Sequence, residues 1–445
     1  MTKNSILKDF TKYVSLKVIG MVSLSCYILV DTYFISLALG SDGLTALNIA
    51  ASIFGILFGA GLMIGVGGAI QYSILKNKDN DSEADSIFTH AILIGASVSL
   101  IFVIIGVFFA APLASLLGAD MTTLPLAEVY MRTLLSFAPV IMLNSILAAF
   151  VRNDNNPKLA MAGMVTGSLS NIVLDYVFMF PLEMGMFGAA LATVCSMFLS
   201  VGILSLHFIL KLNQFHLQKC KIRLKKIVKM LYLGSSAFIN DLSLSIALIT
   251  FNLVILNIEG NIGVAAYGVV ANTAFIVIAI FTGVAQGIQP LLSKGYGLGD
   301  NFLIKQVLKY AIIIVVVISV IIYTVAFTFT ADIVAAFNSE ENEQLALLAN
   351  EGLRIYFIGF FFTGINIIAS AFFSSVANAK TGLIISVMRG CIIIVPMVIV
   401  LSAILGMTGI WLSFVFAELT VFLLSTIFLW KKLKNKTELS ARAEA

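Results

Sequence analysis

Apolar runs of about 20 residues or more follow one another along almost the whole chain, each long enough to cross roughly 30 Å of hydrocarbon. Lipid offers no hydrogen bonds, so each run must satisfy its own backbone, and helices are the solution open to runs of this length. Twelve spans are expected, at about 13–39, 44–75, 87–111, 124–150, 158–181, 186–212, 230–257, 263–290, 307–330, 346–374, 382–405 and 409–431. The fold class is therefore an all-α polytopic membrane protein with 12 transmembrane helices. Only 11% of residues are charged and 60% are hydrophobic, far outside the range of soluble domains.

Charge supplies an independent check on the number of spans. With the amino terminus inside, all but two of the 27 lysines and arginines fall on the cytoplasmic side; only Arg132 and Arg354 lie outside. The inner set runs from Lys3 through Lys76, Arg152 and the 211–229 cluster to Lys294, Lys380 and Arg389, and the tail adds Lys431, Lys432, Lys434, Lys436 and Arg442. A missed span would scramble that bias, so both termini are placed in the cytoplasm. The basic residues flank hydrophobic spans, so no nucleic-acid partner is expected. The basic stretch 219–229 is read as a solvated loop, with contact to anionic lipid as the alternative. Cys26, Cys195, Cys220 and Cys391 show no paired spacing, so neither disulfide nor zinc is implied. No cleavable leader is expected.

The two halves of the chain repeat each other. Gly40, Gly43 and Gly67 recur as Gly260, Gly263 and Gly287; Arg132, Asn144, Phe150 and Lys158 recur as Arg354, Asn366, Phe372 and Lys380; Gly185 and Gly188 recur as Gly406 and Gly409. Six spans per half is an even number, so the repeats are parallel, related by an axis along the membrane normal. The expected organisation is an amino-terminal six-helix lobe at 1–212, a basic cytoplasmic linker at 213–229 and a carboxy-terminal lobe at 230–445.

Four polar residues interrupt the first half. Asp31, Asp175 and Thr193 sit eight to ten residues from the nearest outer-loop glycine, about 12–15 Å deep at 1.5 Å per residue. Asn171 lies one turn from Asp175, on the same face. The second half does not repeat them: Asp31 falls near Phe251 or Asn252, Asp175 near Val395 to Met397, and Thr193 on Phe414. Purely architectural residues should appear in both halves, so the asymmetry favours a function. An intramembrane carboxylate marks an ion or substrate path by default. Two at one depth require a shared proton or an intervening cation, and sodium suits a set of oxygen ligands. A buried hydrogen-bond network tying three helices together is the other reading.

In the second half, Asp241 beside Asn240 and Glu418 in the last span are candidates for neutralising a cationic substrate, or are protonated packing residues. Gln286 and Gln289, just ahead of Pro290, either line a cavity or close a span end. Gly55, Gly59, Gly61 and Gly65 have the spacing of close helix packing. His90, His207 and His216 have no partners at ligand spacing and are assigned nothing. No Walker A, HExxH or GxSxG pattern occurs, so no enzyme activity is expected.

Taken in order, these residues resemble the multidrug and toxic compound extrusion (MATE) family. The resemblance covers essentially the whole chain and is carried by Val30-Asp31-Thr32, the Asn171 to Asp175 stretch and the Gly188 to Thr193 stretch, then by Gln286 to Pro290 and Gly409-Ile410-Trp411. It implies two six-helix lobes forming a V around a central cavity, with alternating access. It implies a cation site at Asp31, Asn171, Asp175 and Thr193. A second site used by some relatives is not matched, since the tenth span offers Asn366 in place of an acid and Asp241 is displaced by about a turn. The prolines of many relatives are missing too: the first span has none, and Ser235-Ser236 occupies that stretch of the seventh. The function implied is a sodium- or proton-coupled antiporter exporting amphipathic, often cationic, compounds from the cytoplasmic membrane, as a monomer without further cofactor. The alternatives are a flippase for lipid-linked precursors, which should carry Arg or Lys deep in the membrane, and a non-transporting membrane scaffold or sensor.

Overall fold

A computed structural model describes residues 2–337 and 342–434; Lys436 and Arg442, assigned above to a cytoplasmic tail, lie outside the described residues. No strand occurs among the described residues. The helices are α1 (Lys3–Lys76), α2 (Asp81–Leu116), α3 (Leu124–Ser136), α4 (Ala138–Asn153), α5 (Pro157–Met179) and α6 (Gly185–Ile209). Then follow α7 (Leu224–Gly297), α8 (Asn301–Thr328), α9 (Thr330–Phe337), α10 (Glu343–Tyr356), α11 (Phe360–Ser375), α12 (Ala379–Val387) and α13 (Ile394–Lys434).

Among the described residues, eight stretches are long and apolar enough to cross a membrane, or nine when α3 and α4, bent by 54° between them, count as one. Pro139 at the start of α4 accounts for that bend, because its ring cannot continue the preceding helix. Three of the stretches are each broken once, at Gly40 (φ 64°, ψ −152°), Gly260 (φ 63°, ψ −153°) and Gly406 (φ 59°, ψ −134°). That backbone is essentially restricted to glycine. Divided there, the nine become twelve segments. Gly40 and Gly260 are repeat partners with nearly identical dihedrals, so the sequence repeat is also a repeat of backbone geometry.

The chain forms two compact units, residues 15–238 and residues 2–14 with 239–434, so both boundaries fall inside helices. In the first unit, the opening of α7 seats on the second segment of α1: a Cβ added to Gly67 would lie 1.9 Å from the Met230 carbonyl, and one on Gly234 would lie 1.9 Å from the Met63 carbonyl. In the second unit, the opening of α1 seats on the repeat glycine. A Cβ on Gly287 would lie 2.8 Å from Val14 Cα. Gly67 and Gly287 thus serve one purpose in each half, accepting a helix at backbone contact. Of the small-residue series, Gly61 and Gly65 face Ser145 of α4, whereas Gly55 faces open space.

The stretch after α6 is tied to the first unit just ahead of the basic run 219–229, whose Lys219, Lys221, Arg223, Lys225 and Lys229 are exposed. Phe215 is fully buried, packed among Tyr72, Phe88, Phe150 and Phe208. Alternate backbone N–H groups donate into the first unit: Gln214 to Asp154 Oδ2 (2.7 Å), His216 to Asp85 Oδ1 (3.1 Å) and Gln218 to Thr89 Oγ1 (3.1 Å). Arg223 N–H donates to His90 Nε2 (3.0 Å), whose Nδ1 donates to the Ser86 carbonyl. His207 gains partners that no sequence spacing announces. Its Nε2 donates to Asp154 Oδ2 (2.8 Å), its Nδ1 accepts from Asn156 Nδ2 (3.3 Å), and Tyr72 donates to Asp154 Oδ1 (2.7 Å).

Candidate ion-binding site

The site is built from α1, α5 and α6 of the first unit. Asp31 lies on the segment of α1 before Gly40, Asn171 and Asp175 on one face of α5, and Thr193 on α6; all four side chains are buried. α5 and α6 are joined by a short turn through Gly185, which takes a positive φ of 54° and returns the chain antiparallel. That reversal sets Thr193 beside Asn171.

Asn171 joins the two helices. In the orientation that pairs donors with acceptors, its Nδ2 donates to Asp175 Oδ2 (3.0 Å) and its carbonyl oxygen accepts from the Thr193 backbone N–H (3.3 Å). Turned over, Nδ2 reaches Thr193 Oγ1 instead, at 3.4 Å. Asp31 Oδ1 and Asp175 Oδ1 are both buried with no hydrogen-bond partner among the described residues. The two carboxyls are near enough to interact electrostatically. Leaving two carboxylate oxygens dry and unpaired is costly, and a proton on one or a small cation between them removes the cost.

Two tyrosines complete the site and were missed from sequence. Tyr130 on α3 and Tyr27, one turn before Asp31, are both buried beside the same pair of carboxyls. Tyr27 stands at the i, i+4 position from Asp31, which was the available signal. Tyr130 had none, because it stands 99 residues beyond Asp31 along the chain.

The candidates of the second half have diverse surroundings. Asp241, Asn240 and Gln286 are half-buried and Gln289 is buried; among the described residues Asn240 and Gln286 make no side-chain hydrogen bond. Glu418 on α13 is buried and already neutralised: Arg389 Nε donates to its Oε1 at 2.6 Å, and Asn366 Nδ2 donates to its Oε2 at 2.8 Å. Arg389 is therefore no cytoplasmic flank. It stands ten residues inside a helical stretch that begins at Ala379, about 15 Å along it, with a side chain only 10% exposed. A π-helical turn, Met388–Ile392, carries it, and the positive-inside count had no means of detecting a buried partner.

Comparison with known proteins identifies the family and the fold. The MatE family model matches residues 18–177 and 237–400. The multidrug export protein MepA of Staphylococcus saprophyticus is 24% identical over 418 residues, covering 94% of this chain and 92% of that protein. Among solved structures, the outward-facing conformation of a multidrug resistance MATE family transporter of the MOP superfamily superposes with a TM-score of 0.91 at 23% identity, covering 98% of this chain and 97% of that one. A MOP superfamily transporter from Pyrococcus furiosus gives 0.90 at 22% identity, covering 96% of each. At these identities the structures establish a shared fold.

Proposed function

Since the chain belongs to the MatE family, we propose that it is a sodium- or proton-coupled antiporter that exports amphipathic, often cationic, organic compounds across the cytoplasmic membrane by alternating access. It is a transporter and not an enzyme. The observation that carries the coupling is the pair of buried, partnerless oxygens, Asp31 Oδ1 and Asp175 Oδ1, on two different helices. A proton or sodium ion entering there would draw α1 and α5 together and change what Asn171 can bond. A monovalent ion moving inward releases about 2.3 kcal/mol per 100 mV, enough to drive a modest gradient of substrate. The export of drugs is supported by the name of the staphylococcal relative. The reading includes cytoplasmic termini and a monomer.

A flippase for lipid-linked precursors gains one point, because Arg389 places a positive charge inside the second unit. That charge is paired with Glu418, and a pyrophosphate head group would ask for several cations. The antiporter remains the better account. It is tested by efflux of a fluorescent organic cation from proteoliposomes, with a proton or a sodium gradient imposed separately. Gradient-driven efflux that disappears in both Asp31→Asn and Asp175→Asn is expected. Normal efflux from both variants would sink the coupling site, and no flux under either gradient would favour the flippase or a sensor.

A further inference from the structure

The repeat gives a control for every polar contact in the second half. Asn366 on α11 donates through Nδ2 to Glu418 on α13, at 2.8 Å to Oε2 and 3.0 Å to the carbonyl. Its repeat partner Asn144 on α4 donates through Nδ2 to Met197 Sδ on α6, at 3.3 Å. Met197 precedes Glu418 by the repeat spacing, so one architectural contact has a thioether in the first half and a carboxylate in the second. By the same spacing Arg389 corresponds to Ser168, a buried residue on α5. There α5 is uninterrupted, whereas Arg389 sits in the π-helical turn Met388–Ile392. At these three positions the first half therefore packs its helices without charge.

Packing does not call for the pair. A buried ion pair is generally no better than apolar residues of similar volume, and π turns concentrate at functional sites. The geometry leaves the arginine half used. Its Nε donates to Glu418 Oε1, while neither terminal nitrogen has a hydrogen-bond partner among the described residues. Glu418 is itself held by Asn366, so the guanidinium is fixed in direction with its outer edge open. Two parallel N–H groups at that edge match a carboxylate in a bidentate arrangement.

We infer that Arg389 is a binding site for the carboxylate of zwitterionic organic compounds, with Glu418 and Asn366 as positioning residues. The inference rests on the reading of the chain as an exporter and adds a substrate class to it. Glu418 competes with the incoming carboxylate for Arg389, which gives the two residues opposite signs in a binding experiment.

The probes are a rhodamine methyl ester and its free acid, which differ by one carboxylate. Binding of each to the purified full-length chain in detergent is read by fluorescence polarisation. Glu418→Gln should raise the affinity for the acid relative to the ester. Arg389→Gln combined with Glu418→Gln should lower that ratio by about tenfold from the single variant, the loss of a charge-assisted pair. Removing both charges avoids an uncompensated buried carboxylate. Should the double variant fail to fold, Arg389→Lys in the Glu418→Gln background keeps the charge, loses the fork and should lower the ratio by less. A ratio that does not move, or moves in one direction in all variants, would overturn the inference. Efflux of the ester from proteoliposomes separates the two readings. Ester and acid bound but not moved would defeat the exporter and leave the site; ester moved with an unchanged ratio would defeat the site alone.

Discussion

Gly67 on α1 and Met230 on α7 meet backbone to backbone, so closely that a Cβ on Gly67 would lie 1.9 Å from the Met230 carbonyl oxygen. This contact is why the first fifteen residues of α7 belong to the unit formed by residues 15–238. The obstacle is backbone, which cannot turn aside as a side chain would.

Gly67→Ala should accordingly destabilise the chain by on the order of 3 kcal/mol, the upper end of overpacking costs. Gly55→Ala is the matched control, since nothing lies within 4 Å of its Cβ. It should be neutral or stabilising by up to about 1 kcal/mol, because alanine restricts the unfolded chain and favours helix. Thermal unfolding of the detergent-solubilised chain compares them. Equal transitions for the two variants would show that the helices can separate there at little cost.

Asp154→Ala should loosen the segment after α6. The substitution leaves the Tyr72 hydroxyl, His207 Nε2 and the Gln214 N–H without their acceptor, in a cluster where the Asp154 and His207 side chains are 1% exposed. Three orphaned donors amount to about 3 kcal/mol or more. Tryptic cleavage at Lys219, Lys221 and Arg223 should accelerate with it. Phe215→Ala should do the same by emptying the aromatic cluster, at about 3–5 kcal/mol. Unchanged cleavage in both variants would mean that the segment is held by something else.

These contacts mark the limit of what the sequence discloses. The helix breaks were legible, because Gly40, Gly260 and Gly406 interrupt apolar runs at repeat positions and glycine has a backbone conformation of its own. Asp31, Asn171, Asp175 and Thr193 were legible because hydrophobic surroundings make any polar residue conspicuous. Phe215 was not, since one aromatic in a basic stretch carries no signal of the pocket that receives it. Arg389 was misplaced for a related reason: counting charges near span ends treats an arginine as solvated unless its partner is known. Its partner Glu418 is 29 residues away. The π turn that aims it depends on packing, with Ser243 pressed against Gly390.

The hydroxyls beside the acid pair should be coupled to ion binding. Tyr130→Phe and Thr193→Val each remove one buried hydroxyl from the cluster around Asp31 and Asp175. Each should weaken ion-driven efflux, and the double variant should lose less than the sum of the two, since residues of one polar cluster are non-additive. Thr193→Val leaves its backbone N–H for Asn171, so the fold should survive. Additive losses in the cycle would place the two residues in separate roles.

The turn between α2 and α3 should respond to acid through Asp120. Its Oδ1 accepts from the Thr123 N–H (2.9 Å) and hydroxyl (2.8 Å) and from the Thr122 N–H (3.1 Å) and hydroxyl (2.9 Å). The Thr123 backbone bond is the largest cause, followed by the hydroxyls of Thr123 and Thr122, and together they lower the carboxyl from its ordinary 3.8 to about 2. All four bonds favour the ionised form. A folded-state value below the unfolded one means the stabilisation is complete above pH 3.8 and disappears as pH falls through about 2. Hydrogen exchange at the Thr122 and Thr123 amides, corrected for intrinsic rates, should show protection falling across that window. Asp120→Asn should give weaker protection that no longer depends on pH there. A wild-type profile that stays flat from pH 4 to 2, or an Asn variant that titrates like wild type, would remove Asp120 as the cause.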